Sequence, residues 1–129
     1  MRPEAEVRSI KVAILAMGGE GGGVLVDWIV SAAEREGFPV QSTSVPGVAQ
    51  RTGATIYYLE ILPRPRDARR QPVFALMPTP GDVDLVVASE LMEAARAVQR
   101  GLVTPDRTLL ISSSHRVYAM PEKMAMGAG

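Results

Sequence analysis

The stretch KVAILAMGGEGGGVLVDWIV, Lys11 to Val30, constrains the fold more than any other part of the chain. Ile10 to Ala16 is short, mostly apolar and rich in β-branched residues, the composition of a buried parallel strand. Gly18, Gly19, Gly21, Gly22 and Gly23 follow, interrupted once by Glu20. From Val24 to Glu36 the apolar positions Val24, Leu25, Trp28, Ile29, Ala32 and Ala33 recur at three and four, and Gly37 supplies a helix stop. A strand, a tight glycine turn and a helix amino end make a ready anion site, because backbone N–H groups and the helix dipole face the ligand together.

Two specific forms of such a site fail on the residues. A Walker A loop needs Gly-Lys-Ser/Thr, and no lysine follows these glycines. The dinucleotide fingerprint needs a third glycine where a start at Gly19-Glu20-Gly21 puts Val24. It also needs an acid near the end of the second strand, and Val40-Gln41-Ser42-Thr43-Ser44 offers none. Two readings stay open: the turn meets a phosphate or other polar ligand group, or its glycines only let helix and strand pack closely.

The rest of the chain continues the alternation. Phe38 to Ser42 is a second short strand, and TSVPGVAQRTGA reads as a polar loop. Thr55 to Ile61 is a strand by propensity. LPRPRDARRQP, with Arg64, Arg66, Arg69 and Arg70, is an exposed segment. Asp84 to Ser89 is another buried strand, and Glu90 to Arg100 a helix with Leu91, Met92, Ala95 and Val98 inward. Arg107 to Ser112 is a further strand. This order predicts an α/β domain with a mainly parallel sheet and right-handed crossovers.

Composition narrows the function. With 129 residues, 47% hydrophobic and 22% charged, the chain has the balance of one globular domain. A formal net charge of zero gives no overall field to draw nucleic acid or an anionic membrane. Without cysteine, the chain has no disulfide, no thiol nucleophile and no thiolate for an iron–sulfur cluster or zinc ribbon. One histidine, His115, rules out a His-rich metal centre. The amino terminus lacks the apolar core of a signal peptide, and no apolar run has membrane-spanning length, so the expected location is the cytoplasm.

Three motifs in order carry a family resemblance. MGGEGGGVLVDWIVSAAEREGFPV resembles the opening of the gamma-type domain of 2-oxoacid:ferredoxin oxidoreductases, with Glu20 standing where that family usually has glutamine. Gly47-Val48-Ala49-Gln50-Arg51-Thr52-Gly53 is similar to its Gly-x-x-x-Arg-x-Gly loop, Thr52 departing from the commoner Arg-Gly-Gly. The third is the strand–helix junction DLVVASE, Asp84 to Glu90. Within the family, TLLISSSHRVYAMPEKMAMG most resembles the beta subunit of the indolepyruvate type.

The resemblance implies a Rossmann-like three-layer domain over 1–129, as the first part of a longer chain. It implies a cluster-free subunit of an enzyme that oxidatively decarboxylates an aryl 2-oxoacid, passes electrons to ferredoxin and delivers the acyl group to coenzyme A. Thiamine diphosphate and the iron–sulfur clusters would sit on a partner alpha subunit, leaving this chain inert alone. It contains no catalytic residue by this reading. Gly18, Gly19, Glu20, Gly21, Gly22, Arg51 and Thr52 form the candidate coenzyme A site, with Glu20 and Arg51 as a potential ion pair.

The remaining features are weaker. Arg64 to Arg70 lacks aromatic stacking partners and suits a solvated loop or an acidic protein partner rather than nucleic acid. His115, just past a strand end, reads as a structural hydrogen-bonder before a general base. Ser112, Ser113 and Ser114 make a polar strand end without a nucleophile elbow. Met120, Met124 and Met126 suggest an apolar surface for a partner or for further chain, because no helix follows to cover the last strand. The rival readings are a non-catalytic nucleotide- or coenzyme A-binding module and an NAD-linked dehydrogenase, the latter disfavoured by the missing ribose carboxylate.

Overall fold

The computed structural model describes residues 7–46, 54–67, 69 and 71–114. Among them are β1 (Ile10–Met17), α1 (Gly22–Arg35), β2 (Val40–Val45), β3 (Ala54–Ile61), β4 (Leu85–Ala88), α2 (Leu91–Gln99) and β5 (Leu109–Ser112). The strands form one sheet in the order β2-β3-β1-β4-β5. β1 pairs in parallel with β4, and β4 with β5, whereas β3 runs antiparallel to both β1 and β2. Four strands therefore point one way and β3 is reversed, a mainly parallel sheet with one exception. The exception follows from chain length. Only residues 46–53 separate β2 from β3, too few for the crossover that a parallel pair requires.

Strand alternation assigns the two faces. Val12 and Ile14 of β1 turn to one side and cluster with Val26 and Leu59 under α1. Ala13 and Leu15 turn to the other and cluster with Ile56, Val83, Val86, Ala97 and Leu102 under α2. One helix on each face gives the three layers expected of the sequence.

The helix faces correct the sequence reading. On α1, Leu25, Ile29 and Ala33 do pack inward, joined by Gly22, Val26 and Val30. Val24 and Trp28 instead stand 53% and 69% exposed, and Ala32 is exposed with them. This helix is apolar nearly all round, so periodicity alone does not fix its rotation. Gly22 does: a Cβ there would lie 2.7 Å from the Ala16 Cβ and 2.8 Å from a Tyr57 ring carbon.

On α2, Leu91, Ala95 and Val98 are exposed, and the buried face is Glu93, Ala94 and Ala97. Two alanines let the helix sit close to the sheet. Glu93 tolerates burial because Arg96 pairs with its carboxylate. A charged residue on the inner face is invisible to a hydrophobic pattern.

The starts of β1, β4 and β5 are tied by ions. Lys11 N donates to Asp84 Oδ2 at 2.8 Å, and its ammonium lies 3.0 Å from Asp82. Arg107, with 15% of its side chain exposed, pairs with Asp82 at 2.8 Å and with Asp84 at 3.2 Å. Asp84 and Arg107, read as strand residues in the sequence, thus stand just ahead of β4 and β5 as anchors. At β5 the outer layer is thin, with Leu109 62% and Ile111 52% exposed.

Two outcomes follow. Gly22→Ala forces Tyr57 and α1 apart, and its expected cost of about 2 kcal/mol is read from denaturant unfolding. Tyr58 is buried and donates to Glu60 Oε1 at 2.8 Å. Burial first, then that hydrogen bond, pushes its phenol well above the ordinary tyrosine range. Above about pH 10 the unfolded chain releases this proton while the folded chain keeps it, so stability falls as pH rises. The difference between the wild-type and Tyr58→Phe stability profiles above pH 10 isolates that slope; a zero difference refutes it.

Candidate functional site

β1 and β4 are adjacent parallel strands whose following helices leave to opposite faces of the sheet. The crevice between their carboxyl ends is the topological switch point, where open α/β sheets place ligands. One wall is the glycine turn between β1 and α1, and the other is Ser89-Glu90 between β4 and α2.

The turn closes with Glu20 N donating to the Met17 carbonyl at 3.2 Å. Gly19 and Gly21 have φ of 82° and 80°, a left-handed backbone that disfavours any side chain. Gly21 caps α1 without a side-chain hydrogen bond, and the first bond inside the helix is Leu25 N to Gly21 O at 3.0 Å. The amides of Gly22, Gly23 and Val24 precede that bond and keep the open donor character of a helix amino end. A Cβ at Gly18, Gly19 or Gly21 would meet nothing within 4 Å, so this side of the turn is open. Gly22 thus serves packing, while Gly18, Gly19 and Gly21 leave the outer side of the turn open.

Glu20 lies across the crevice. Its Oε1 accepts from Met17 N at 2.8 Å and from Ser89 Oγ at 2.7 Å, joining the two walls. Glu90, 2% exposed, caps α2 by accepting from Glu93 N at 3.0 Å, a carboxylate at the positive end of its helix. Ser112 donates to its neighbour's carbonyl, Ser113 O, at 2.8 Å, and both serines stand exposed at the end of β5.

Gly18, Gly19, Glu20, Gly21 and Gly22 make up the turn between β1 and α1 and its first helical residue. Arg51 and Thr52, with the whole 47–53 loop, lie outside the described residues, as do Arg70, His115 and the three terminal methionines. The Glu20–Arg51 pair is accordingly not among the contacts described. Sequence reasoning missed Ser89 as the partner of Glu20; the signal available was Ser89-Glu90 at a strand–helix junction, followed by Glu93 at capping-box spacing.

Arg66 and Arg69 are exposed and Arg64 half-buried, on the segment after β3. Arg66, with Pro39, Val40, Gln41, Asp67, Gln71, Pro72 and Phe74, lines a cavity of about 580 Å3. That cavity lies at the start of β2, the end of the sheet remote from the glycine turn, and takes no part in the crevice. Among the described residues no group of three or more His, Cys, Asp or Glu side chains is placed to hold a metal ion. No helix among them is long and apolar enough to cross a membrane.

The sheet order also bears on the dinucleotide reading. In a dinucleotide fold β2 lies beside β1 and brings its acid to the ribose. Here β3 intervenes between them. The chain lacks both the carboxylate and the place for it.

Against known proteins, the sequence pattern of one family, pyruvate ferredoxin/flavodoxin oxidoreductase, matches residues 11–127. The chain belongs to that family. No curated protein sequence matches it significantly. The fold is similar to that of 2-oxoglutarate:ferredoxin oxidoreductase from Magnetococcus marinus, a structure with 2-oxoglutarate, coenzyme A and succinyl-CoA bound. The TM-score is 0.63 at 14% identity, over 89% of this chain and 18% of that one. It is also similar to pyruvate oxidoreductase subunit PORC from Thermotoga maritima, with a TM-score of 0.57 at 18% identity, over 88% of this chain and 53% of that one. The chain spans less than two thirds of either structure's length, and at these identities the likeness is one of fold.

Ser89→Ala removes a hydrogen bond to a charged group and unties the two walls. The expected cost is about 1.5 kcal/mol by denaturant unfolding, with faster amide exchange in the glycine turn. An unchanged exchange rate there would show that the bond does not hold the turn.

Proposed function

We propose that this chain is the cluster-free, gamma-type part of a 2-oxoacid:ferredoxin oxidoreductase acting on an aryl 2-oxoacid of the indolepyruvate kind, and that its crevice faces the coenzyme A side of the reaction. The observation that carries the reading is the coincidence of a family match over 11–127 with an open glycine turn at the switch point of the sheet. The aryl substrate rests on the resemblance of 108–127 to the indolepyruvate type.

The donor chemistry divides the work between chains. Iron–sulfur clusters need thiolates, and this sequence has no cysteine, so on this reading the clusters belong to a partner alpha subunit, where the family resemblance also puts the thiamine diphosphate that supports decarboxylation. Electrons leave through that subunit to ferredoxin. What this chain would supply is binding: backbone donors of the glycine turn other than Glu20 N, which bonds the Met17 carbonyl, and those at the first turn of α1, with Arg51 and Thr52 as the charged and hydroxyl contacts.

Calorimetric titration of the chain with coenzyme A tests this. Saturable binding is expected, weakened about tenfold in Arg51→Ala, the loss of one charge-assisted contact. No binding by the wild-type chain removes the coenzyme A role and leaves a scaffold for the catalytic subunit. In the assembled complex, ferredoxin reduction is expected with indolepyruvate in preference to pyruvate; the reverse preference refutes the aryl assignment.

A further inference from the structure

Granting the coenzyme A reading of the crevice, we propose that Glu20 is its charge filter: the carboxylate lying across the β1–β4 parting turns phosphate away from the glycine turn and admits the uncharged, amide-bearing pantetheine arm of the acyl carrier.

The argument begins with what Glu20 already occupies. The Met17 amide and the Ser89 hydroxyl are donors at the parting of the two strands, available in principle to an anion seated there. Both are taken by Glu20 Oε1, at 2.8 and 2.7 Å. The turn thus holds an anion of its own. Among the described residues no cationic side chain pairs with it: Arg8, Lys11 and Arg107 are engaged with Asp82 and Asp84 at the opposite end of the sheet, and Arg96 with Glu93 on α2. The nearby Glu90, buried at the amino end of α2, adds a second carboxylate to the same end.

Glu20 stands two residues ahead of Gly22, the first residue of α1, a Cα separation of at most about 7.6 Å. That separation is inside the Debye length of about 8 Å at physiological salt, so the repulsion between Glu20 and a phosphate on the open amides of α1 is not screened away. A neutral amide meets the opposite situation. Glu20 Oε2 has no hydrogen-bond partner among the described residues and can accept from an N–H, while the open backbone amides can donate to a carbonyl. A glutamine at this position, as the resembling family usually has, keeps the shape and the acceptor oxygen but not the charge. The diphosphate end of coenzyme A is then held away from the turn.

The test is calorimetric titration of the full chain, wild type and Glu20→Gln, with inorganic pyrophosphate and separately with pantetheine. Thermal melting checks that the isosteric variant is folded, and Ser89→Ala, which retains the carboxylate, serves as a structural control. Glu20→Gln is expected to bind pyrophosphate at least tenfold more tightly than wild type, with an affinity that falls as salt rises. Pantetheine affinity is expected to change less than threefold, and Ser89→Ala is expected to reject pyrophosphate as wild type does. Equal pyrophosphate affinity in wild type and Glu20→Gln, including no binding by either, overturns the proposal. So does a gain in Ser89→Ala as large as in Glu20→Gln, because loosening of the turn rather than loss of the charge would then explain it. Absence of pantetheine binding with the pyrophosphate contrast intact removes the coenzyme A reading and retains Glu20 as a filter against phosphate.

Discussion

The approach of α1 to the sheet at Gly22 governs the whole carboxyl end of the domain. With hydrogen in place of Cβ, the helix backbone comes within contact of Ala16 and the Tyr57 ring, and this single approach sets the rotation of an otherwise evenly apolar helix. Val26 and Ile29 then face β1 and β3, and Trp28 faces out. The same approach fixes where the helix begins. Gly19 and Gly21 must therefore take up the left-handed backbone that turns the chain from strand to helix in so short a span. Between them stands Glu20, and the tightness of the turn is what brings its carboxylate back to Met17 and across to Ser89. Packing, turn and crevice are consequences of one missing side chain.

The reversal of β3 has an equally local origin and a wider effect. A connection too short for a crossover makes β2 and β3 a hairpin, and that hairpin displaces β2 from the side of β1. The crevice between β1 and β4 survives because both strands remain parallel and their helices still diverge. What is lost is the neighbour that would carry a ribose-binding acid. The fold thus keeps the anion-facing geometry of a nucleotide site while shedding the specificity of a dinucleotide site.

Much of this was legible in the sequence, for identifiable reasons. The β1–turn–α1 unit declared itself because a buried strand, a glycine run and a helical period follow one another without interruption. The mostly parallel sheet followed from strands separated by a helix. The phase of both helices was not legible. On α1, apolar residues cover nearly every direction, and only the Gly22 contact chooses among them. On α2, the inner face is made of Glu93 and two alanines, whose burial depends on a pairing with Arg96 that no hydrophobic count anticipates. The Thr43 to Val45 end of β2 looked like loop because a hairpin edge strand carries polar residues on its solvent side. Within the site, Glu20 was visible but its partner was not: residues 69 positions apart meet only through the adjacency of β1 and β4.

The distribution of charge between the two ends of the sheet follows from the same topology. At the amino ends of β1, β4 and β5, Asp82 and Asp84 are met by Lys11, Arg8 and Arg107, so opposite charges neutralise one another and tie strands together. At the carboxyl ends the described carboxylates are met by backbone amides and a hydroxyl instead, at Met17 and Ser89 for Glu20 and at Glu93 for Glu90. A hydrogen bond from a neutral donor stabilises a carboxylate without cancelling its charge. Among the described residues the amino ends are therefore charge-paired, whereas Glu20 and Glu90 at the crevice end have no cationic partner. On the proposed coenzyme A reading of the crevice, that difference would favour the neutral arm of the ligand over its charged head at this end.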